Sequence, residues 1–259
     1  MIKEKNKYLL FIIILFVSIN IIPVLIYLLT KNEYSFSLSL IPIVFISLIF
    51  FKLQIIDKLN KINFYWGIIT ICYPLIILFI HGLFVFLLDK NVHINFYFSK
   101  SPNFIIDFFI TFIVIFLTEE ALFRGIFWFL FEKSGYSLFK KNFFISILFT
   151  LWHIPVVLLL PAFHLELFVI PIYFLNIFLL SFNFGLLRYF NNSVIFIGIC
   201  HTIWNILVYN FFGYGKMTGN WEVKNYFLFG PERGIIGILL QIIIIAIFIY
   251  KIHIKFKKK

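Results

Sequence analysis

Three ionisable side chains lie close together inside an apolar run of the sequence, where hydrocarbon is expected to surround a helix. They are Glu119, Glu120 and Arg124, in the stretch 118–124 of the run 104–131. A charge at the centre of a bilayer costs about 2.5–3.5 kcal/mol on insertion scales, so such residues need a partner or a chemical task. Glu120 and Arg124 are spaced i,i+4 and are predicted to pair on one helix face. Glu119 is turned about 100° away on an α-helix and is left free to act as a general base.

Two further apolar runs carry polar side chains at the same helical spacing. Phe149 and His153 lie four residues apart in one of them, and His201 and Asn205 lie four residues apart in another. At a rise of 1.5 Å per residue, Glu119, His153, His201 and Asn205 all lie about 13–20 Å from the same end of their spans. We therefore expect polar groups from three separate helices to meet at one depth in the membrane.

The composition is that of a polytopic membrane protein. Of the 259 residues, 63% are hydrophobic and 13% are charged, whereas soluble domains are about 45–50% apolar and about 25% charged. The predicted fold class is all-α, a transmembrane helical bundle of about eight spans. The apolar runs long enough to cross about 30 Å of hydrocarbon are 8–30, 34–51, 64–88, 104–131, 142–160, 167–187, 193–211 and 234–254.

Three regions follow from the order of these runs. Residues 1–103 hold three N-terminal spans, 104–211 form the core with the polar motifs, and 212–259 hold an outer loop, the last span and a basic tail. Pro231 is predicted to be the first residue of the last helix, with Glu232 near its positive end.

The net charge of +11 is distributed as lysine clusters that flank the apolar runs. This placement is typical of cytoplasmic loops facing an anionic leaflet, and it predicts a multi-pass cell-membrane protein with both termini in the cytoplasm. The bilayer is thus an expected partner and nucleic acid is not. Cys72 and Cys200 both fall in apolar runs, so no disulfide framework is predicted.

Several polar residues have a plainer interpretation than catalysis. The pair of Glu120 and Arg124 would, on its own, be consistent with a purely structural bond. A lone intramembrane histidine such as His81 is typically a packing or hydrogen-bonding residue. Adjacent helix residues point in different directions, which disfavours Cys200 as a nucleophile activated by His201. The residues predicted to form interhelical hydrogen bonds are Asn176, Ser181 and Asn183.

Three motifs in this order resemble those of the CPBP intramembrane proteases. They read Glu119-Glu120-x-x-x-Arg124, Phe149-x-x-x-His153 and His201-x-x-x-Asn205, and the resemblance covers about 104–211. That family includes the type II CAAX prenyl endopeptidase and ABI-type bacteriocin-processing or bacteriocin-immunity proteins. The resemblance implies a polar cavity within the bundle, in which water hydrolyses a peptide bond of a membrane-associated peptide or protein.

The resemblance also implies a role for each motif residue. Glu119 would be the base, His153 would help to orient the water, and His201 and Asn205 would stabilise the oxyanion. The supporting residues would be Glu120, Arg124 and Phe149.

A metal-independent mechanism is favoured over a metalloprotease, because the sequence lacks His-Glu-x-x-His and asparagine is a poor zinc ligand. Zinc is the alternative, with Glu119, His153 and His201 as its ligands.

Two other classes of function remain open at this point. A non-catalytic membrane factor, of the bacteriocin self-immunity or surface-modification type, would act by binding alone. An ion- or proton-coupled transporter could use the same buried Glu and His residues. The sequence shows no repeats or paired broken helices, which disfavours the transporter.

Overall fold

A computed structural model describes residues 2–51, 62–89, 92, 104–214, 217–221, 223 and 225–257. Much of the predicted loops at 52–63 and 89–103 and the last two lysines of the basic tail lie outside these residues. The cytoplasmic placement of both termini rests partly on those lysines and stays a prediction.

The described chain is almost entirely helical. The elements are α1 (Ile2–Thr30), α2 (Glu33–Leu38), α3 (Leu40–Phe50), α4 (Phe64–Leu88), α5 (Phe104–Ile115), a π-helix (Phe116–Phe127), α6 (Trp128–Lys133), α7 (Leu138–Leu159), a 3₁₀ turn (Pro161–Phe163), α8 (Ile170–Asn191), α9 (Val194–Phe211), β1 (Gly213–Tyr214), β2 (Met217–Thr218), α10 (Tyr226–Phe229) and α11 (Ile235–Lys257). The two strands, of two residues each, pair antiparallel. They are the only strands among the described residues and form no larger sheet, so the prediction of an all-α fold is confirmed.

Within the described residues, seven helical segments are long and apolar enough to cross a membrane. The predicted run 104–131 is the remaining helical stretch, in which the π-helix separates α5 from α6. The chain is therefore a multi-pass membrane protein. Large apolar side chains on the outer faces of the bundle are consistent with contact to lipid, as in Ile13 (60% exposed), Phe79 (73%) and Leu158 (63%).

A tight turn between α8 and α9 brings two site-bearing helices side by side. Asn192 adopts a left-handed conformation with φ of 57° and ends α8, a conformation that Asn tolerates better than most residues. Ser193 then caps α9 by accepting a hydrogen bond from the backbone N–H of Phe196. Because the connection is this short, the chain reverses direction, and the rings of Phe184 on α8 and His201 on α9 lie 5.2 Å apart.

Two apolar clusters form the interior. One joins α1, α2, α3, α6 and α7 to the π-helix, and the other joins α4, α8, α9 and α11. Phe149 belongs to the first cluster and Phe184 to the second, and the Arg124 guanidinium lies between them. The buried polar residues of the π-helix therefore lie where the two clusters meet.

Candidate active site

The motif with Glu119 and Glu120 lies on a π-helix rather than on the α-helix that the sequence predicts. Hydrogen bonds from i to i+5 widen each turn, and π-helical turns occur frequently at functional sites. Successive side chains are then closer together around the axis than the 100° of an α-helix. As a result both carboxylates lie near His201, with Glu120 Oε1 at 2.7 Å from its Nδ1 and Glu119 Oε2 at 3.9 Å from its Nε2.

Glu120 holds the centre of the cluster together. Its Oε1 atom accepts hydrogen bonds from Arg124 Nη1 at 3.2 Å and from His201 Nδ1 at 2.7 Å. The other guanidinium nitrogen, Nη2, donates to the hydroxyl and the carbonyl of Ser181 at 2.8 and 3.2 Å. Glu120 and Arg124 are both fully buried, and a buried ion pair persists only when such additional bonds satisfy it. The pairing expected from the i,i+4 spacing is present, and it joins the π-helix to α8 and α9.

Phe149 forms the apolar contact of this charge cluster. Its ring centroid lies 4.5 Å from the Arg124 guanidinium carbon, and the Phe184 ring lies 5.5 Å from the same atom. A guanidinium over an aromatic face is electrostatically favourable, more so when water is excluded. The Phe149 ring also lies 4.5 Å from the ring of His153 and 6.2 Å from that of His201. Phe149 therefore links His153 to the cluster.

Glu119 differs from Glu120 in its surroundings. Its side chain is 16% exposed, whereas that of Glu120 is fully buried. The 3.9 Å to His201 Nε2 is too long for a direct hydrogen bond, and Oε2 accepts none from the residues that the structure describes. Glu119 thus offers an acceptor oxygen next to an imidazole, with a spacing at which a water molecule can act as a bridge.

His153 is held in one tautomer by its own helix. Its Nδ1 lies 2.8 Å from the backbone carbonyl of Phe149, one turn earlier on α7. A carbonyl only accepts, so Nδ1 carries the proton and, in the neutral ring, Nε2 is a hydrogen-bond acceptor. The half-buried ring also contacts Trp152 edge-on at 4.9 Å.

Asn205 lies one helical turn beyond His201 on α9 and is half-buried. Residues four apart share a helix face, so its amide follows the imidazole along the same side of the helix. The structure therefore brings Glu119, Glu120, Arg124 and His201 into direct proximity, connects His153 through Phe149, and places Asn205 at the next turn.

The zinc alternative can be tested against the donors present. A zinc ion needs donor atoms that converge at about 2.0–2.2 Å from one point. Among the residues described, no three His, Cys, Asp or Glu side chains form a group that could hold a metal ion. The Nδ1 atoms of both histidines are engaged, one by Glu120 and the other by a backbone carbonyl, which leaves Nε2 of each ring as the nitrogen that could bind a metal. As placed, Glu119, His153 and His201 do not converge on one point as zinc requires.

A second polar feature, which sequence reasoning missed, holds the loop 229–234. Three buried donors from three different membrane helices end on this loop. The bonds are His81 Nε2 to the Phe229 carbonyl (2.6 Å), Asn176 Nδ2 to the Gly234 carbonyl (3.1 Å), and Trp204 Nε1 to Glu232 Oε1 (2.7 Å).

These bonds draw the loop into the bundle. Trp204 lies seven residues before the end of α9, and Asn176 lies six residues after the start of α8. At 1.5 Å per residue both contacts are about 10 Å inside the helix ends. The prediction that Pro231 begins the last helix is wrong, because α11 begins at Ile235. The physical reason for this difference is that the chain turns within the bundle before α11 begins. Glu232 lies in this turn, where it accepts a hydrogen bond from the Trp204 indole N–H and does not cap a helix.

The loop also lines a small cavity. Glu232 forms its wall together with Tyr173 and Tyr209, and Trp204, which donates to Glu232, is three residues from His201. Tyr173 in turn lies 6.5 Å, ring to ring, from His153. Ser181 and Asn183 form the expected interhelical bonds, with Arg124 at 2.8 Å and with the Gln241 side chain at 2.6 Å. The long-range bond of Asn176 ends instead on Gly234 of the loop. From the sequence alone, a carboxylate in a predicted loop such as Glu232 is expected to face solvent, so its bond to Trp204 could not be predicted.

Comparison with protein families supports the motif assignment. Residues 101–207 match the family model described as type II CAAX prenyl endopeptidase Rce1-like. The matched segment contains every residue predicted for the site, from Glu119 to Asn205. No curated protein and no solved structure matches the chain.

Proposed function

We propose that this chain hydrolyses a peptide bond of a membrane-associated peptide with a water molecule activated by Glu119 and His153. The match of residues 101–207 to the type II CAAX prenyl endopeptidase Rce1-like family model supports this proposal. The observation that carries this proposal is the unequal environment of the two adjacent carboxylates. The Oε2 atom of each carboxylate has no protein donor among the described residues. Glu120 is fully buried and accepts hydrogen bonds from Arg124 and His201 through Oε1, whereas Glu119 is 16% exposed and its Oε2 lies 3.9 Å from His201 Nε2.

The first step is removal of a proton from water. Glu119 accepts this proton, and the unprotonated Nε2 of His153 accepts the second hydrogen bond of the same water and orients it. Its tautomer is suited to this role because Nδ1–H is held by the Phe149 carbonyl. A positioned general base contributes about 10²–10⁴-fold to the rate of such a reaction.

The hydroxide then adds to the carbonyl carbon, and the carbonyl oxygen becomes an oxyanion. His201 lies between two carboxylates, and its imidazolium form donates Nδ1–H to Glu120 and turns Nε2–H toward the side of Glu119. Nε2–H and the Asn205 amide are the donors available to the oxyanion. Glu120 and Arg124 hold the imidazole in this orientation.

Collapse of the tetrahedral intermediate completes the reaction. The carbon–nitrogen bond breaks, and the proton held by Glu119 passes to the departing nitrogen, which leaves as an amine. The other product is a carboxylic acid, and Glu119 returns to its carboxylate form. The substrate class this requires is a peptide that reaches the bundle within or along the membrane.

The test is cleavage of a library of membrane peptides by the purified protein in detergent. Glu119→Gln should lower the rate by about 10²–10⁴-fold and leave thermal unfolding unchanged. Glu166→Gln is a matched control, because Glu166 is exposed outside the membrane helices, and it should keep full activity. Activity that survives in Glu119→Gln would overturn the proposed role of this carboxylate.

Treatment with a metal chelator distinguishes metal-independent glutamate catalysis from zinc catalysis. Glutamate catalysis predicts full activity after dialysis against a strong chelator and no stoichiometric metal in the active sample. Loss of activity that zinc restores would assign Glu119, His153 and His201 to a metal instead. The non-catalytic alternative predicts no cleavage by the unmodified protein and a cellular phenotype that Glu119→Gln and His153→Ala retain.

A further inference from the structure

A groove opens at the end of the bundle where α1 and α7 begin, the opposite end from the loop 229–234. It is distinct from the candidate active site and combines aromatic walls with two lysines. The residues that form it include Lys5, Tyr136, Phe139, Lys140, Phe143 and Phe182.

The apolar part of the groove faces outward along α7. Phe139 and Phe143 are one helical turn apart, and they are 40% and 46% exposed. The Phe143 ring packs against Phe178 of α8 at 5.7 Å, and Phe178 packs against Phe182 at 6.2 Å. These rings form a continuous stripe parallel to the helix axes, which is the direction in which a lipid chain extends.

The charged part lies at the end of this stripe. Lys5 is near the start of α1 and Lys140 is in the first turn of α7, so the positive ends of two helix dipoles add to the two ammonium charges. The Lys5 Nζ atom lies 6.0 Å from the ring centroid of Tyr136. The nearby carboxylate of Glu132 is bonded to Lys141 at 2.9 Å. The local potential at the groove is therefore positive.

We propose that this groove binds one anionic phospholipid of the bilayer, with the phosphate between Lys5 and Lys140 and an acyl chain over Phe139 and Phe143. Charge complementarity selects the headgroup, and the aromatic stripe continues from the lysines into the lipid-facing surface of the bundle. Basic side chains beside helix ends attract anionic lipids, by about 1 kcal/mol for each lysine near the surface. The proposal does not depend on the proposed protease activity.

The test is retention of phosphatidylglycerol by the full-length protein in mild detergent, measured by native mass spectrometry. Phosphatidylcholine is the reference lipid. Lys5→Gln and Lys140→Gln should each weaken retention of phosphatidylglycerol roughly fivefold, and the double variant should retain the two lipids equally. Lys133→Gln is the matched control, because Lys133 is exposed at the same end of the bundle and lies over Phe129 outside the groove.

Two further arms define the ligand. Phe143→Ala should weaken retention of phosphatidylglycerol with its selectivity over phosphatidylcholine preserved, as expected for an acyl contact. Millimolar inorganic phosphate should not displace the lipid, whereas displacement would show a phosphate site without a lipid requirement and overturn the proposal. Equal retention of both lipids by the unmodified protein, or unchanged retention in the double lysine variant, would also overturn it.

Discussion

Two regions of this molecule place polar side chains in apolar helices, and they use them differently. Around Glu120, side chains from the π-helix, α8 and α9 bond one another, and Glu119 is left with an open acceptor. Around the loop 229–234, two of the three donors end on backbone carbonyls and the third on Glu232. The first arrangement joins three membrane helices and leaves an acceptor oxygen of Glu119 without a protein donor among the described residues, whereas the second fixes a loop to the bundle.

The two regions also differ in how each uses a buried histidine, His81 at the loop and His201 at the candidate site. His81 and His201 are both buried, at 1% and 5% exposure. His81 binds the Phe229 carbonyl, and His201 binds one carboxylate while it faces another. Burial and residue type therefore do not distinguish these two histidines, but their hydrogen-bond partners do.

The largest effect on stability is expected at Arg124. Arg124→Ala leaves the Glu120 carboxylate buried with one donor fewer, and the loss of one partner from a buried pair costs about 3–5 kcal/mol. Arg124→Lys keeps the charge but cannot span Glu120 and Ser181 with a planar fork, so it should fall between Ala and the unmodified protein. Unfolding in detergent measures both variants. Equal stability of all three proteins would show that the pair does not join the helices.

The next prediction compares the replacement of each of the two histidines by phenylalanine. His81→Phe should lower the free energy of unfolding by about 1–3 kcal/mol, because the Phe229 carbonyl loses its donor, while cleavage by the folded fraction persists. His201→Phe should reduce cleavage by about 10²–10³-fold, as for loss of an oxyanion donor. Parallel measurements of unfolding and cleavage check the pair of variants. A catalytic loss in His81→Phe as large as in His201→Phe would remove the distinction between the two regions.

A smaller effect is expected where the loop meets α9. Trp204→Phe removes the donor to Glu232, and hydrogen bonds between membrane helices contribute about 0.6 kcal/mol on average and at most about 1.7 kcal/mol. A double-mutant cycle with Glu232→Ala isolates this bond from the packing of the indole ring, because alanine has no acceptor for the indole N–H. A coupling energy of zero would mean that the other two anchors hold the loop without it.

The smallest effect is expected at Ser181. Ser181→Ala removes one hydroxyl acceptor from Arg124, but the backbone carbonyl of the same residue still accepts at 3.2 Å. The unfolding free energy should fall by about 0.6 kcal/mol or less, with cleavage almost unchanged. A loss comparable to that of Arg124→Ala would indicate that the hydroxyl, rather than Glu120, sets the position of the guanidinium.

Much of the helical architecture could be predicted because it depends on local properties of the chain. Apolar runs of sufficient length give the spans, and the i,i+4 spacing gives the pair of Glu120 and Arg124. The common depth of Glu119 and His201 could also be predicted, because depth follows from the number of residues between each side chain and the end of its helix. The bond between His201 and Glu120 did not follow from depth and was found in the structure.

The π-helix and the inserted loop could not be predicted in the same way. A change from i+4 to i+5 hydrogen bonding alters the backbone without a clear signature in the order of Glu119, Glu120 and Arg124. The loop 229–234 depends on His81, Asn176 and Trp204, which are 148, 58 and 28 residues from their partners. Contacts of such separation leave no periodic pattern in the sequence, and Pro231 followed by Glu232 therefore resembled an ordinary helix start.

The wide turns of Phe116–Phe127 also fix the rotational phase of the residues that follow them. Because the π-helix has more residues in each turn, the side chains of α6 point in other directions than they would if the α-helix continued without interruption. That phase decides which side of α6 meets α1, where Tyr8 packs edge-on against Phe129 at 6.4 Å. Deletion of a single residue between Glu119 and α6 would rotate the two parts relative to each other by about 100°. Glu119 could then not face His201 while Phe129 still faces Tyr8.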